Sequence, residues 1–316
     1  MGAGAFGRNH ARVYRQLQQE GEPVELVAIV DTDAARAATV TREFGGTASS
    51  SLDDLRNRVD AVSVVVPTVG HLNVARTLME SGIDVLIEKP LAASLADADE
   101  IIRVAERTGR LAQVGHLERF NPAVRATLPL LTRPMFFEIH RLSMFTPRSL
   151  DIDVILDLMI HDLDIVLAFV DSPMKEIRAV GLPILTSKVD IANVRMEFES
   201  GCVANFTASR VSTERVRKLR FFQPRQYISI DYSRQDVLVF TIDPAAAAGP
   251  NPGIGVQKPA VVSEEPLHAE LRSFLDAVRH RSRPQVPLQE GRRALAVALE
   301  VLSEIRAHSQ KVGLGT

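Results

Sequence analysis

The chain opens on Met-Gly-Ala-Gly-Ala-Phe-Gly, and the spacing Gly2-x-Gly4-x-x-Gly7 constrains its fold more than any other feature. Glycines at this spacing turn tightly out of a β-strand, let the backbone approach a pyrophosphate, and let the next helix pack on the strand. The phosphates rest on the helix N-terminus, where unpaired N–H groups and the helix dipole favour anions. Asp31 ends the next apolar run, "VELVAIVD", where an acidic side chain accepts hydrogen bonds from adenosine ribose hydroxyls. The alternative for Asp31 is a helix N-cap. Its charge repels a ribose phosphate and Asp31-Thr32-Asp33 shows no arginine, so NAD is expected over NADP. Gly2, Gly4, Ala5, Phe6, Gly7 and Asp31 form the first candidate cofactor-binding set. A strand should deliver the loop, yet Met1 stands directly before its first glycine. The expectation is a start codon placed too far downstream, because a sheet without its central strand leaves backbone groups unpaired.

Up to residue 120, short apolar strands ("VELVAIVD", "VDAVSVVVP", "DVLIEKP", "LAQVGH") alternate with helices such as "HLNVARTLMESG" and "SLADADEIIRVAERTG". Each of these helices closes on a glycine, and the alternation predicts a parallel sheet covered on both faces. After Asn121-Pro122 long strands follow one another, which predicts an open antiparallel sheet with helices on one face and Glu199-Ser200-Gly201 turning a hairpin. One buried helix over 152–170 interrupts them, "PAAAAGPNPGIGVQKP" reads as a surface loop, and two amphipathic helices end the chain. The expected fold is α/β followed by α+β. A Rossmann dinucleotide-binding domain spans 1–120, a substrate and oligomerisation domain 121–285, and a C-terminal helix 286–316 packs across both.

Composition removes several function classes. A net charge of −2 with 24% charged residues offers no general attraction to nucleic acid or membranes. No stretch reaches the ~20 apolar residues of a membrane span, and Phe6 stands where a myristoylation signal needs Ser or Thr. The lone Cys202 excludes a disulfide framework and fits the cytoplasm.

The segment "DVILDLMIHDLDIVLAFV" is apolar nearly all round, yet it carries Asp157, His161 and Asp164 at i, i+4, i+7. On an α-helix Asp157 and His161 stand about 40° apart, on one face. A polar stripe on such a helix lines a cavity or a hydrogen-bond network. Mutual pairing in the core is an alternative; metal chelation is another, which no further His or Cys at ligand spacing supports, so no metal is expected. Glu88-Lys89-Pro90 ends a predicted strand at the edge where doubly wound sheets bind ligands. Lys89 would stand beside a nicotinamide there, the alternative being a solvated surface lysine; Pro90 makes a cis bond possible.

With the glycine loop, Glu88-Lys89-Pro90 and Asp157-x-x-x-His161 in that order, the chain resembles the glucose-fructose oxidoreductase / inositol dehydrogenase / rhizopine catabolism (Gfo/Idh/MocA) family over nearly its whole length. It departs in lacking a first strand, and a Trp that many relatives carry near "HLERFNPAV". "GHLERFNPA" is similar to members that oxidise nucleotide-linked amino sugars, the UDP-N-acetylglucosamine 3-dehydrogenase type. The resemblance implies NAD as cofactor, hydride transfer from a sugar ring carbon, and a homodimer or homotetramer. It implies His161 as general base, Asp157 orienting it or binding a neighbouring hydroxyl, Lys89 beside the cofactor and hydrogen-bonding the reacting oxygen, and Glu88 beside the cofactor. Pro67, Thr68 and His71 resemble the loop that touches the cofactor, with helix capping the alternative for His71. His116, Arg119, Asn121 and Arg148 are candidate substrate contacts, with ion pairing the alternative for the arginines. Dehydrogenation of a free sugar or inositol, a lyase or hydrolase using NAD transiently, and a non-catalytic NAD or sugar sensor are the competing functions.

Overall fold

The computed structural model describes residues 1–146, 152–243 and 253–313. The chain forms two compact units, Met1–Phe120 with Glu265–Leu295, and Asn121–Glu264 with Ala296–Thr316. In the first, α1 (Ala5–Gln19), β1 (Ala28–Val30), α2 (Ala34–Phe44), β2 (Thr47–Ser49), β3 (Ala61–Val64), α3 (His71–Glu80), β4 (Asp84–Glu88), α4 (Leu95–Thr108) and β5 (Ala112–Gly115) follow in order. All strand pairs are parallel, but the sheet is in two pieces, β1-β2 and β3-β4-β5. Met1 and Gly2 bridge the pieces. The Met1 amine donates to Ser63 O, Val65 N–H donates to Met1 O and Gly2 N–H donates to Val30 O, each at 2.8 Å.

Local chemistry explains the boundaries. β4 is buried at every position, the pattern of a parallel strand covered on both faces. Ser94 caps α4 by accepting from Asp97 N–H, and Gly109 ends it in the left-handed conformation. The strand expected over Val24–Asp31 shortens to Ala28–Val30, the residues in register with Thr47–Ser49 of β2. β2 went unread because "TAS" is a largely exposed edge strand with no apolar pattern.

In the second unit α5 (Pro122–Thr127) and β6 (Phe136–Leu142) precede a π-helical turn, Ile155–Met159, that runs into α6 (Ile160–Phe169). Strands β7 (Met174–Leu182), β8 (Ile191–Phe198), β9 (Val203–Ser209), β10 (Val216–Gln223), β11 (Gln226–Asp231), β12 (Asp236–Asp243) and β13 (Gly253–Gln257) complete it. The eight-stranded sheet has the order β13-β12-β11-β10-β6-β9-β8-β7 and is antiparallel except where β6 meets β9. Gly201, at φ +82°, turns the β8–β9 hairpin as expected. β13 comes from the segment read as a surface loop; its residues pair with Val239–Asp243, which two glycines do not prevent at a sheet edge. Phe137 and Phe221 stack at 5.5 Å on the buried face, and Phe169 of α6 meets Phe221 edge-on at 5.9 Å.

Helix α7 (Pro266–His280) returns to the first unit, and α8 (Leu288–Lys311) closes the chain. Leu267, Leu271, Phe274 and Ala277 of α7 pack against Val13 and Leu17 of α1 and Leu86 of β4. That apolar match places residues 265–285 with the dinucleotide-type unit, where the sequence reading grouped them with the second domain.

Candidate active site

The glycine loop is built by steric necessity at two positions and left open at the third. A Cβ on Gly2, at φ +92°, would lie 2.3 Å from Val65 O, and one on Gly7 would lie 1.8 Å from Gly2 O. Gly4 N-caps α1 without a side-chain cap, and a Cβ there would meet nothing within 4 Å. Open space over bare helix N–H groups is what a pyrophosphate requires, so the loop fits a dinucleotide.

Asp31 is 6% exposed. Its Oδ2 accepts Ala3 N–H at 2.7 Å and its Oδ1 accepts Asp33 N–H at 2.9 Å. Burial raises this carboxyl, but the two N–H donors and the Arg36 guanidinium outweigh it and hold the pKa below the ordinary 3.8. The helix-cap alternative falls to Asp33 instead, which accepts from Ala35 and Arg36 N–H. The expectation of no nearby arginine is corrected: Arg36, brought back by the first turn of α2, lies 3.8 Å from Asp31 and 3.4 Å from Asp33. Two carboxylates against one guanidinium keep the locality negative, which still disfavours a ribose phosphate.

At the end of β4, Glu88 is buried, with Oε1 3.0 Å from His10 Nε2 and Oε2 accepting Lys89 N–H at 3.2 Å. Any Cβ on Gly115 would strike the Glu88 carboxylate, at 2.7 Å from Oε1. The Lys89–Pro90 bond is cis, and Lys89 is half-buried. His71 is fully enclosed, its Nδ1 3.1 Å from Pro90 O and its Nε2 3.0 Å from Val66 O. Burial holds it below the ordinary histidine pKa despite those carbonyls. It caps no helix; it ties the loop bearing Pro67 and Thr68 to the turn after Lys89. His116 is buried at the end of β5, and Arg119 donates to Glu290 at 2.5 Å, the ion-pairing alternative.

Sequence reasoning missed a polar layer beneath this edge. Tyr14 OH lies 2.8 Å from Ser63 Oγ, and Glu270 of α7 is 0% exposed with no hydrogen-bond partner on either oxygen among the described residues. Burial first, then the nearby Glu88 charge, push the Glu270 pKa well above 4.5. An acidic residue on the sheet-facing side of α7 was the signal available.

In the second unit Asp157 lies on the π turn, half-buried, and His161, 9% exposed, opens α6 with Asp164 buried beyond it. The single α-helix expected over 152–170 is corrected: the π turn carries i→i+5 bonding, a bulge that recurs at functional sites. Its entry is anchored by side chains that no motif announced. Val189 N–H donates to Asp153 Oδ1 at 2.9 Å, Val154 N–H to Val189 O at 2.9 Å, and Arg210 to Ile152 O. Buried Asp190 accepts from Ile184, Leu185 and Thr186 N–H; burial raises its pKa, and these donors hold it low. Behind His161, Asp162 takes two hydrogen bonds from Arg141, at 2.7 and 2.9 Å, and Arg141 lies over the Tyr232 ring at 5.1 Å. Asn121 caps α5 through Ala123 N–H and donates to Tyr232 O, so its amide is engaged in scaffolding. Arg148 lies outside the described residues.

Residues 1–116 match the model of an oxidoreductase family with an NAD-binding Rossmann fold, and residues 134–228 match the GFO/IDH/MocA C-terminal domain. UDP-N-acetylglucosamine 3-dehydrogenase of Acidithiobacillus ferrooxidans is 38% identical over 315 residues, 98% of this chain and 97% of that protein. A solved structure of that enzyme superposes with a TM-score of 0.89 at 36% identity, covering 97% and 96% of the two chains. The scyllo-inositol 2-dehydrogenase (NAD(+)) of Bacillus subtilis is 28% identical over 67% of this chain and 66% of that protein. The myo-inositol 2-dehydrogenase of Lactobacillus plantarum shares the fold at 19% identity, with a TM-score of 0.80 over 97% and 96% of the chains.

Proposed function

The chain belongs to the Gfo/Idh/MocA family of NAD-binding oxidoreductases, and on that premise we propose that it oxidises the C3 hydroxyl of a UDP-linked amino sugar such as UDP-N-acetylglucosamine. The observation that carries this reading is the 38% identity to the UDP-N-acetylglucosamine 3-dehydrogenase, which runs through 98% of the chain. The residues fit NAD: the Gly2–Gly7 loop and the α1 N-terminus suit the pyrophosphate, and Asp31 the ribose.

NAD, when bound, supplies the nicotinamide that takes up the hydride. His161 accepts the proton of the substrate hydroxyl, since imidazole titrates near working pH. Lys89 donates a hydrogen bond to the same oxygen and stabilises its developing negative charge. Asp157, one turn before His161, orients the imidazole. Glu88 and His10 hold the backbone that presents Lys89, and His71 holds the Pro67–Thr68 loop. Arg119 and Asn121 serve the scaffold through Glu290 and the α5 cap, which leaves His116 as the substrate-side candidate of β5.

Among the described residues no helix is long and apolar enough to cross a membrane. We place the enzyme in the cytoplasm, where a lone thiol such as Cys202 stays reduced. The face of the second sheet opposite Phe137 and Phe221 carries an aromatic row, Phe136, Phe222, Tyr227 and Phe240 at centroid spacings of 5.6, 4.9 and 5.4 Å. An apolar row of this kind supports assembly into a homodimer or homotetramer through that sheet, which sedimentation checks.

The chain contains no Trp, so NADH binding is read from the cofactor's own fluorescence. Turnover is then compared among UDP-N-acetylglucosamine, free N-acetylglucosamine and myo-inositol. The proposal expects NADH formation chiefly with the nucleotide sugar. Preference for inositol or the free sugar overturns the substrate, and cofactor binding without turnover of any of them overturns the activity.

A further inference from the structure

The π turn ahead of α6 is held from outside its own helix. The connection between β7 and β8 takes residues 183–190, longer than the about two to five residues that close most hairpins. Ile184 and Leu185 at its tip stay 54% and 59% exposed, so apolar burial does not hold that tip. A single carboxylate gathers it instead. Asp190 Oδ2 accepts Ile184, Leu185 and Thr186 N–H at 2.8, 2.6 and 2.8 Å, and Oδ1 accepts the Thr186 hydroxyl at 2.8 Å.

Folded this way, the loop presents Val189 and Asp190 to the entry of the π turn. Val154 N–H donates to Val189 O and Val189 N–H donates to Asp153 Oδ1, each at 2.9 Å. Arg210 stands against Asp190, with 3.6 Å between Nε and Oδ1, and donates to Ile152 O. Val189 is seated on Gly181 of β7, where a Cβ would lie 2.6 Å from Val189 Cγ1. The residue anchored here is also the one from which the turn hangs. Asp153 O accepts Leu156 N–H at 3.1 Å and Asp157 N–H at 3.0 Å.

A π turn closes one residue wider than an α turn, and such a local departure persists where its surroundings fix it. A slip of one residue would swing the residues before it by about 100° around the axis relative to α6. Asp157 lies in the π turn and His161 in the first turn of α6, so a slip parts the two. We propose that residues 183–190 act as a clasp that sets the register of the π turn, with Asp153, Asp190 and Arg210 as positioning residues for Asp157 and His161. The clasp acts through the Asp153 carbonyl, whose place decides where the Asp157 amide sits. This inference rests on the roles given above to Asp157 and His161.

The test compares Asp153→Ala, Asp153→Asn and His161→Ala with the native chain by kcat on UDP-N-acetylglucosamine, NADH titration and amide hydrogen exchange. Asp153→Ala removes the acceptor for Val189 N–H and keeps the Asp153 carbonyl. Its kcat should fall by about 10²-fold, the cost of a small misplacement of reacting groups, with NADH affinity unchanged. Asp153→Asn keeps an oxygen that accepts the same bond and should restore most of the native kcat. The amides of Leu156 and Asp157 should exchange at least about tenfold faster in the Ala variant than in the native chain or the Asn variant. Gly181→Ala displaces Val189 without removing a polar group and should quicken the same amides, which serves if Asp153→Ala does not fold. Native exchange or native kcat in Asp153→Ala overturns the clasp, as do equal losses of kcat in the Ala and Asn variants. Native kcat in His161→Ala defeats the proposed function instead, and the exchange rates then still decide whether the clasp holds the π turn.

Discussion

In the first unit the groups we assign to the dinucleotide are mainly backbone atoms, whereas in the second the groups we assign to the substrate are side chains on a nearly apolar helix. Gly4 presents bare N–H groups and Asp31 spends both carboxylate oxygens on holding the loop's backbone and its own turn. Around His161 and Asp157 lie buried ion pairs instead, Asp162 with Arg141 and Asp190 with Arg210. Backbone placement tolerates change wherever no Cβ is forbidden. Buried ionic placement fails when either partner is lost, because the remaining charge has no water.

The comparison breaks most sharply at the reacting groups. His161→Ala and Lys89→Ala are each expected to lower kcat by ~10²–10⁴-fold while NADH affinity stays nearly constant. Steady-state rates and NADH titration check this, and unchanged turnover in either variant removes that residue from the mechanism.

Next comes the buried pair. Arg141→Ala leaves Asp162 without its guanidinium and should cost ~3–5 kcal/mol in urea unfolding. Replacing both by apolar residues of similar volume should recover most of that loss. A single variant as stable as the native protein would mean that the pair does not anchor α6.

The glycines sharpen the other half. Gly7→Ala forces a methyl into Gly2 O and should destabilise the protein by roughly 1–3 kcal/mol, with NADH binding lost alongside. Gly4→Ala places its methyl in open space, so Tm should hold while NADH affinity falls by about tenfold, ~1.4 kcal/mol. Equal effects of the two substitutions would remove the distinction between packing glycine and ligand glycine.

What was legible in the sequence follows the same divide. The glycine spacing, Asp31, Glu88-Lys89-Pro90 and the polar positions of the buried helix stand out in the sequence because each is a local pattern, and the roles assigned to them are proposals. The hairpin at Gly201 was readable for the same reason. Arg36 escaped because a helix turn, not adjacency, brings it to Asp31. Arg141 and Arg210 escaped because their partners lie many residues away. The π turn escaped because its composition is that of an α-helix, and β13 because glycines at a sheet edge read as loop. Short polar β2 and the placement of α7 were decided by what packs against them.

Glu270 is the first unit's exception, a side chain whose charge is disfavoured where the other acidic groups are satisfied. Its folded pKa is raised, so the folded state binds this proton more tightly than the unfolded state does. The stability it contributes is therefore full below the unfolded value near 4.5 and is lost as pH rises through the folded value. Glu270→Gln keeps the shape and removes the titration. Its Tm should match that of the native protein at the acidic end and exceed it increasingly as pH rises, then run parallel once Glu270 has ionised. The neighbouring groups, Glu88 on β4 and Tyr14 on α1, remain in both proteins, so the difference curve isolates Glu270 to the extent that removing its charge leaves their titration unchanged. A flat difference across pH would mean that Glu270 titrates alike in the folded and unfolded states, its burial offset by partners in the fold. The polar layer beneath Lys89 would then resemble the ionic lattice of the second unit after all.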